Sequence, residues 1–211
     1  MLDVDGTTEE ILKLRRRLSP SRALLVGVSG IDGSGKGWVT NRLEAALREA
    51  GETTVSINVD GWLNLPTCRF DPRRPAEHFY EHALRLEEAF SGVILPLRDT
   101  RSCDIVADFA EETATEFQCK RYRFDDVSVI LFEGIFLFKR RFRPHFDLAC
   151  WVECTFETAL ERALERGQEQ LSVTETIRAY ETIYFPAQRI HFGRDDPRNS
   201  AHVLIGNDPR I

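Results

Sequence analysis

ALLVGVSGIDGSGKGWVTNRL, residues Ala23 to Leu43, decides the fold of this 211-residue chain. The apolar run Ala23–Val28 reads as a buried strand, and Val39, Leu43, Ala46, Leu47 and Ala50 recur at the spacing of one helix face. Between them the loop Gly30, Ile31, Asp32, Gly33, Ser34, Gly35, Lys36, Gly37 keeps the pattern G-x-x-x-x-G-K-[ST] as far as its lysine and departs from it at Gly37. Such a loop needs backbone N–H groups turned inward with no side chains in the way, which glycine permits, and the helix that follows adds its free N–H groups and positive dipole end. The chain has 13 Gly and only 4 Lys. A shuffled chain of this composition would show G-x-x-x-x-G-K roughly one or two times in a hundred, before any strand or helix is required around it. Strand, glycine loop and helix together point to a site for a polyphosphate, with a question where a hydroxyl residue would normally meet magnesium.

Working outward, the order of apolar patterns is strand 23–28, helix 36–50, strand 54–59, helix 76–90, strand 127–132, strand 147–152, helix 156–166, helix 173–183 and strand 202–206. Alternating strands and helices predict an α/β fold with a doubly wound parallel sheet in three α/β/α layers. Val127–Phe132 is apolar except for Ser128, which suits a central strand covered on both faces. Residues 1–20 form a helical extension, from about Thr8 to Leu18, with Thr7 and Glu10 spaced as a capping box. The stretches 104–109 and 117–124 alternate, so residues 95–126 are expected to hold a small hairpin insertion on the substrate side. The whole is read as one domain.

With 42% hydrophobic residues the chain can bury a full core. Its formal net charge of −6 disfavours a general nucleic-acid binder, and no apolar run reaches membrane-spanning length, so a cytoplasmic protein is expected. Cys68, Cys103, Cys119, Cys150 and Cys154 are odd in number and dispersed, which fits reduced thiols. His78 and His82 stand four apart on a helix but have no third ligand nearby, which favours a solvated face over a metal site.

Ligands of open α/β sheets bind beyond the carboxyl ends of the strands, so polar residues there come first. Asp60 ends the strand 54–59 and is the candidate to align an acceptor hydroxyl and take its proton. Glu133 ends the strand 127–132 and is assigned to magnesium or its water shell. Arg162 and Arg166 share a helix face and could cover the transferring phosphoryl group, although Glu161 and Glu165 allow a solvated charged helix instead.

Four segments together resemble the uridine kinase-like branch of the P-loop kinases, which includes phosphoribulokinase and bacterial pantothenate kinase: VGVSGIDGSGKG from Val26, NVDGW around Asp60, VILFEGIFLF around Glu133, and YETIYFPAQRIHF from Tyr180. The resemblance implies a P-loop NTPase fold of the nucleoside-kinase type and an ATP- and Mg2+-dependent kinase acting on a hydroxyl of a nucleoside or other small polar molecule. It implies that Gly30, Asp32, Gly33, Ser34, Gly35, Lys36 and Gly37 cradle ATP, with Lys36 also catalytic, and that Asn207 in VLIGNDP lies beside adenine. It implies Asp60 as catalytic aspartate, Glu133 as the magnesium-associated acid, Arg162 and Arg166 as lid arginines, and Asp71 in RFDP as a substrate contact.

The sequence departs from that pattern at Gly37, in the hairpin region, and in a short lid after Arg166. Adenylate kinases, whose loops read G-K-G-T, tolerate glycine after the lysine, but Trp38 follows here. A catalytically impaired nucleotide-binding protein is therefore the competing expectation. A regulatory GTPase is disfavoured because no N-K-x-D segment is present.

Overall fold

The computed structural model describes residues 1–167 and 171–211. Its main sheet has five parallel strands in the order β2-β5-β1-β6-β7, namely β1 Leu24–Gly30, β2 Thr54–Asn58, β5 Val129–Gly134, β6 Leu148–Glu153 and β7 Val203–Gly206. Side chains alternate across it as strand geometry requires. Leu24, Val26 and Val28 of β1 and Val129 and Leu131 of β5 point to one face, where they meet Ile11 of α1 (Val4–Arg17) and Val39, Leu43 and Leu47 of α2 (Lys36–Glu49). Leu25, Ile130 and Phe132 point to the other, the larger core.

That second face is covered by α3 (Pro66–Arg69), α4 (Pro75–His82), α5 (Leu86–Ala89), α6 (Leu95–Thr100), α7 (Phe156–Arg166), α8 (Val173–Ala179) and α9 (Phe185–Asp195), and the molecule has the three layers expected of it. A separate antiparallel hairpin, β3 (Cys103–Phe109) with β4 (Gln118–Phe124), stands off the sheet. Residues 95–100 belong to the helical layer, where Leu97 is fully buried, so the excursion proper is the hairpin. Trp62 anchors it: its ring stacks on Tyr122 at 5.0 Å, meets Phe132 of the sheet edge-on at 6.4 Å, and its backbone bridges Ala110.

Three boundaries differ from the sequence expectation. Helix α1 starts earlier, because Asp3 is the N-cap and accepts from Gly6 N, while Thr7 is buried and donates back to the Asp3 carbonyl. Thr7 and Glu10 therefore do not form the capping box. The helix foreseen over 76–90 breaks after His82, because the chain there pairs with the segment after Asp60: Asn64 N donates to Ala83 O and Arg85 N to Trp62 O. Finally, the helical segments run on, through residue 100 and through residue 195, by way of wide π-type turns at Phe90–Ile94 and Tyr180–Tyr184. Each turn is followed at the second residue by a proline, Pro96 or Pro186. Proline has no N–H to give and its ring crowds the carbonyl four residues back, so a widened turn lets the helix pass through it.

Candidate active site

Lys36 begins α2 directly after the loop, and Gly35 caps that helix in the left-handed conformation at φ 83°. Gly33 is also left-handed, at φ 77°. A Cβ on Gly33 would collide with the Ala159 carbonyl and one on Gly35 with the Asn207 amide, so both backbone shape and space demand glycine. The loop is held open from outside. Asn207 Nδ2 and Arg162 both donate to the Ser34 carbonyl, at 2.8 Å and 3.1 Å, and Lys36 Nζ reaches back to the Ile31 carbonyl at 2.9 Å. Asp32 accepts from Gly33 N and from the Tyr180 hydroxyl, and Arg166 stands 3.9 Å away. Ser34 Oγ is buried with no protein partner.

Asp208 joins the two elements that bring Asn207 and Arg162 to the loop. It follows β7, accepts from Thr155 N and from the Thr155 and Thr158 hydroxyls, and so fixes the start of α7. Although burial works against it, those hydrogen bonds hold its carboxyl far below the usual range. The segment after Arg166, the expected short lid, includes residues 168–170, which lie outside the described residues.

The two acids selected from strand ends come together opposite the loop. Glu133 is the fifth residue of β5, and Asn58 Nδ2 donates to its Oε2 at 3.4 Å. Asp60 sits in a 3-10 turn beyond β2, fixed by the Asn58 side chain, which accepts from Asp60 N at 2.7 Å. Asp60 meets solvent through the cleft mouth but is crowded by its walls. Loss of hydration pushes both carboxyls upward, opposed by the Lys36 charge. A Cβ on Gly37 would lie 3.6 Å from Glu133 Oε2, so the position where a hydroxyl is missing faces this acid.

These groups line a cleft of about 350 Å3 that includes Asp32, Gly33, Gly35, Lys36, Gly37, Asp60, Glu133, Arg162 and Arg166. No cluster of three or more His, Cys, Asp or Glu suited to a metal exists among the described residues. Asp60 and Glu133 are carboxylates in the wall of this cleft, a donor set that fits magnesium held by one or two carboxylates together with water and phosphate oxygens.

A second cavity, of about 740 Å3, adjoins the first between the end of β2 and the hairpin. Asn58, Asp60, Leu63 and Glu112 belong to the walls of both. Asp71 is in neither wall; it accepts from Arg73 N and pairs with the Arg73 guanidinium at 3.1 Å. The residue of that segment in the cleft is Arg69, 2% exposed, whose guanidinium donates to the Glu112 carbonyl and whose Nε has no partner. Sequence gave no means of preferring Arg69 over Arg73 or Arg74, since burial alone separates them. Tyr122 and Lys120 of β4 were equally hidden, because a seven-residue alternating strand does not say which cavity its inner face lines.

No family model matches the chain, and no curated protein matches it. Solved structures do. A possible uridine kinase from Bacillus stearothermophilus superposes with a TM-score of 0.76 at 19% identity, covering 96% of each chain. A candidate fructose transport system kinase from Silicibacter superposes with a TM-score of 0.74 at 20% identity, over 97% of this chain and 99% of that one. The D-glycerate 3-kinase of Cryptococcus neoformans gives 0.64 at 11% identity, over 97% and 93%. The chain has the fold of the P-loop kinases. Within that fold the glycine loop, Asp60 and Glu133 all lie at the carboxyl ends of adjacent strands, β1, β2 and β5. No helix among the described residues is long and apolar enough to cross a membrane.

Proposed function

We propose that this protein is a kinase of the uridine kinase-like type, which moves the γ-phosphoryl group of ATP to a hydroxyl of a small molecule. The observation that carries the reading is the place of Asp60, on a wall common to the phosphate-loop cleft and the cavity under the hairpin. ATP would fill the first and the acceptor the second, so that the reacting groups meet at this carboxylate. The loop N–H groups and Lys36 hold the phosphates, while Asp60 orients the acceptor hydroxyl. The hydroxyl oxygen bonds to the γ-phosphorus as the bond to the β,γ-bridging oxygen breaks. ADP leaves with that electron pair, and the proton passes to Asp60 and then to solvent. Arg162 and Arg166 bring positive charge to the same cleft. Glu133 would hold magnesium through water, with no hydroxyl offered at Gly37; when bound, the ion neutralises charge on the phosphate oxygens.

Gly37 also favours a second reading, a nucleotide-binding protein with impaired transfer. ADP release distinguishes the two when purified protein is given ATP, magnesium and a panel of nucleosides, sugars and hydroxy acids. Acceptor-stimulated release supports the kinase. ATP binding with no stimulated release by any acceptor sinks it and leaves the second reading.

A further inference from the structure

The larger cavity is chemically uneven. Apolar lining comes from Ile57, Leu63, Phe109 and Ala110, acidic lining from Asp60, Glu111 and Glu112 toward the phosphate-loop side, and two buried donors beside it have no protein acceptor. The Tyr122 hydroxyl is buried and unpartnered. So is Arg69 Nε, on the adjoining wall. An unsatisfied buried donor costs free energy that a ligand oxygen can recover.

Lys120 adds a charge. In the hairpin register it opposes Ala107, and Tyr122 opposes Ile105, so Lys120 shares the inward face with Ile105, Ala107, Phe109, Tyr122 and Phe124. It is the cation of that face. Its Nζ lies 4.5 Å from the Phe109 ring and 5.5 Å from the Tyr122 ring, and no ion pair engages it among the described residues. Arg121 and Arg123, on the other face of the strand, also reach the cavity's rim, and Arg121 is paired there with Asp104. Arg69, by contrast, has its charge opposed by Glu112 and Asp60, so it serves as a hydrogen-bond donor rather than as a counter-ion.

We propose that the acceptor is a hydroxylated small molecule bearing an acidic group, carboxylate or phosphate, which Lys120 and the Tyr122 hydroxyl hold while its reacting hydroxyl lies at Asp60 and Arg69 Nε. This rests on the kinase reading for the direction of transfer, but the anion pocket is testable without turnover. Burial pushes the Tyr122 phenol upward, so it remains a donor at neutral pH. Lys120 is exposed, so water solvates it until an anionic group of the ligand takes that place.

The test uses two matched sets, glycerol with glycerate and glycerol phosphate, and ribitol with ribonate and ribitol phosphate, with uridine as neutral control. Dissociation constants are measured calorimetrically with the magnesium complex of a non-hydrolysable ATP analogue bound, and KM and kcat by ADP release. At least one acid should bind tenfold or more tightly than its neutral parent, and the preferred acid separates carboxylate from phosphate. Lys120→Met should erase that preference by raising KM for the acid tenfold or more with little change in kcat, and Tyr122→Phe should reproduce part of the loss. Neutral compounds binding within tenfold of the acids, or a Lys120→Met protein with unchanged acid affinity, overturns the proposal while leaving the kinase reading intact. Acid-selective binding without turnover supports the anion pocket and counts against the kinase.

Discussion

At the scale of single residues, Asp60 and Gly37 carry the sharpest expectations. Removing the proton acceptor but keeping its shape, Asp60→Asn should lower kcat by about 100- to 10,000-fold, the usual worth of a positioned acid or base, with ATP affinity retained. Near-normal turnover in that variant would remove Asp60 from the chemistry. At Gly37 a side chain has room, since its Cβ would stand in ordinary contact with Glu133 Oε2 at 3.6 Å. Gly37→Ser should therefore fold normally and reach half-maximal rate at a lower magnesium concentration. A magnesium titration that does not shift would mean that water already serves there as well as a hydroxyl. Gly35 is the opposite case, left-handed and pressed against Asn207, so Gly35→Ala should abolish ATP binding measured by calorimetry. Much of this was legible in sequence, because loop spacing and strand ends are local properties. Arg69 was not: two residues from Asp71 along the chain, it alone turns into the cleft.

Among elements, the contact between α4 and α9 is organised by a buried polar group that sequence patterns did not reveal. Asp195 accepts from the Tyr80 hydroxyl, from His191 Nδ1 at 2.8 Å and from Arg140 N at 3.0 Å. Burial opposes its ionisation, yet these bonds bring it down to about 2. Lys139, which donates to the Tyr80 carbonyl, is pushed down to about 8 by burial, with Asp195 opposing. Burial also lowers His191, and its Nε2 has no protein partner, which suits a neutral ring. The linkage has a definite sign. Below its ordinary value of 6.5 the unfolded His191 takes up a proton that the folded one resists, so its contribution is present above 6.5 and is lost as pH falls toward its lowered folded value. The Asp195 contribution is lost in turn between 3.8 and about 2. The urea midpoint should accordingly fall from pH 7.5 to pH 5.5, and less so in His191→Asn; equal slopes in the two proteins would refute the assignment. Tyr80→Phe should cost about 1.5–3 kcal/mol, the worth of a hydrogen bond to a charged group. Tyr80 and Arg140 stand 115 and 55 residues from Asp195 along the chain, separations that periodicity cannot span. The π-type turns were hidden for a related reason: Pro186 reads locally as a helix stop, and only the packing of Tyr180, Tyr184 and Phe185 into the core keeps the helix going.

For the molecule as a whole, Trp62 joins the sheet to the hairpin and so ties the larger cavity to the core. The five parallel strands were accessible from alternation of strands and helices, whereas their order and the docking of the hairpin, through Trp62 stacked on Tyr122 and bridged to Ala110 and through Arg69 on the Glu112 carbonyl, are long-range features that no local pattern encodes. Trp62 is 1% exposed, and Trp62→Ala should lower unfolding stability by about 3–5 kcal/mol through lost burial and the cavity left behind. Against a typical total of about 5–15 kcal/mol, that is enough to leave part of the population unfolded at 37 °C. A ligand that binds only the folded chain restores stability by mass action, about 2.7 kcal/mol at a concentration one hundred times its dissociation constant. Since the phosphate loop is carried by β1 and α2 rather than by the hairpin, ATP should still bind the variant and raise its Tm by a similar increment to that seen in the parent. Acceptor affinity should fall, because the cavity wall is no longer pinned. Thermal scans with and without ATP decide the matter: an ATP-induced rise that vanishes with Trp62 would mean that the two cavities are built as one site rather than as two that meet at Asp60.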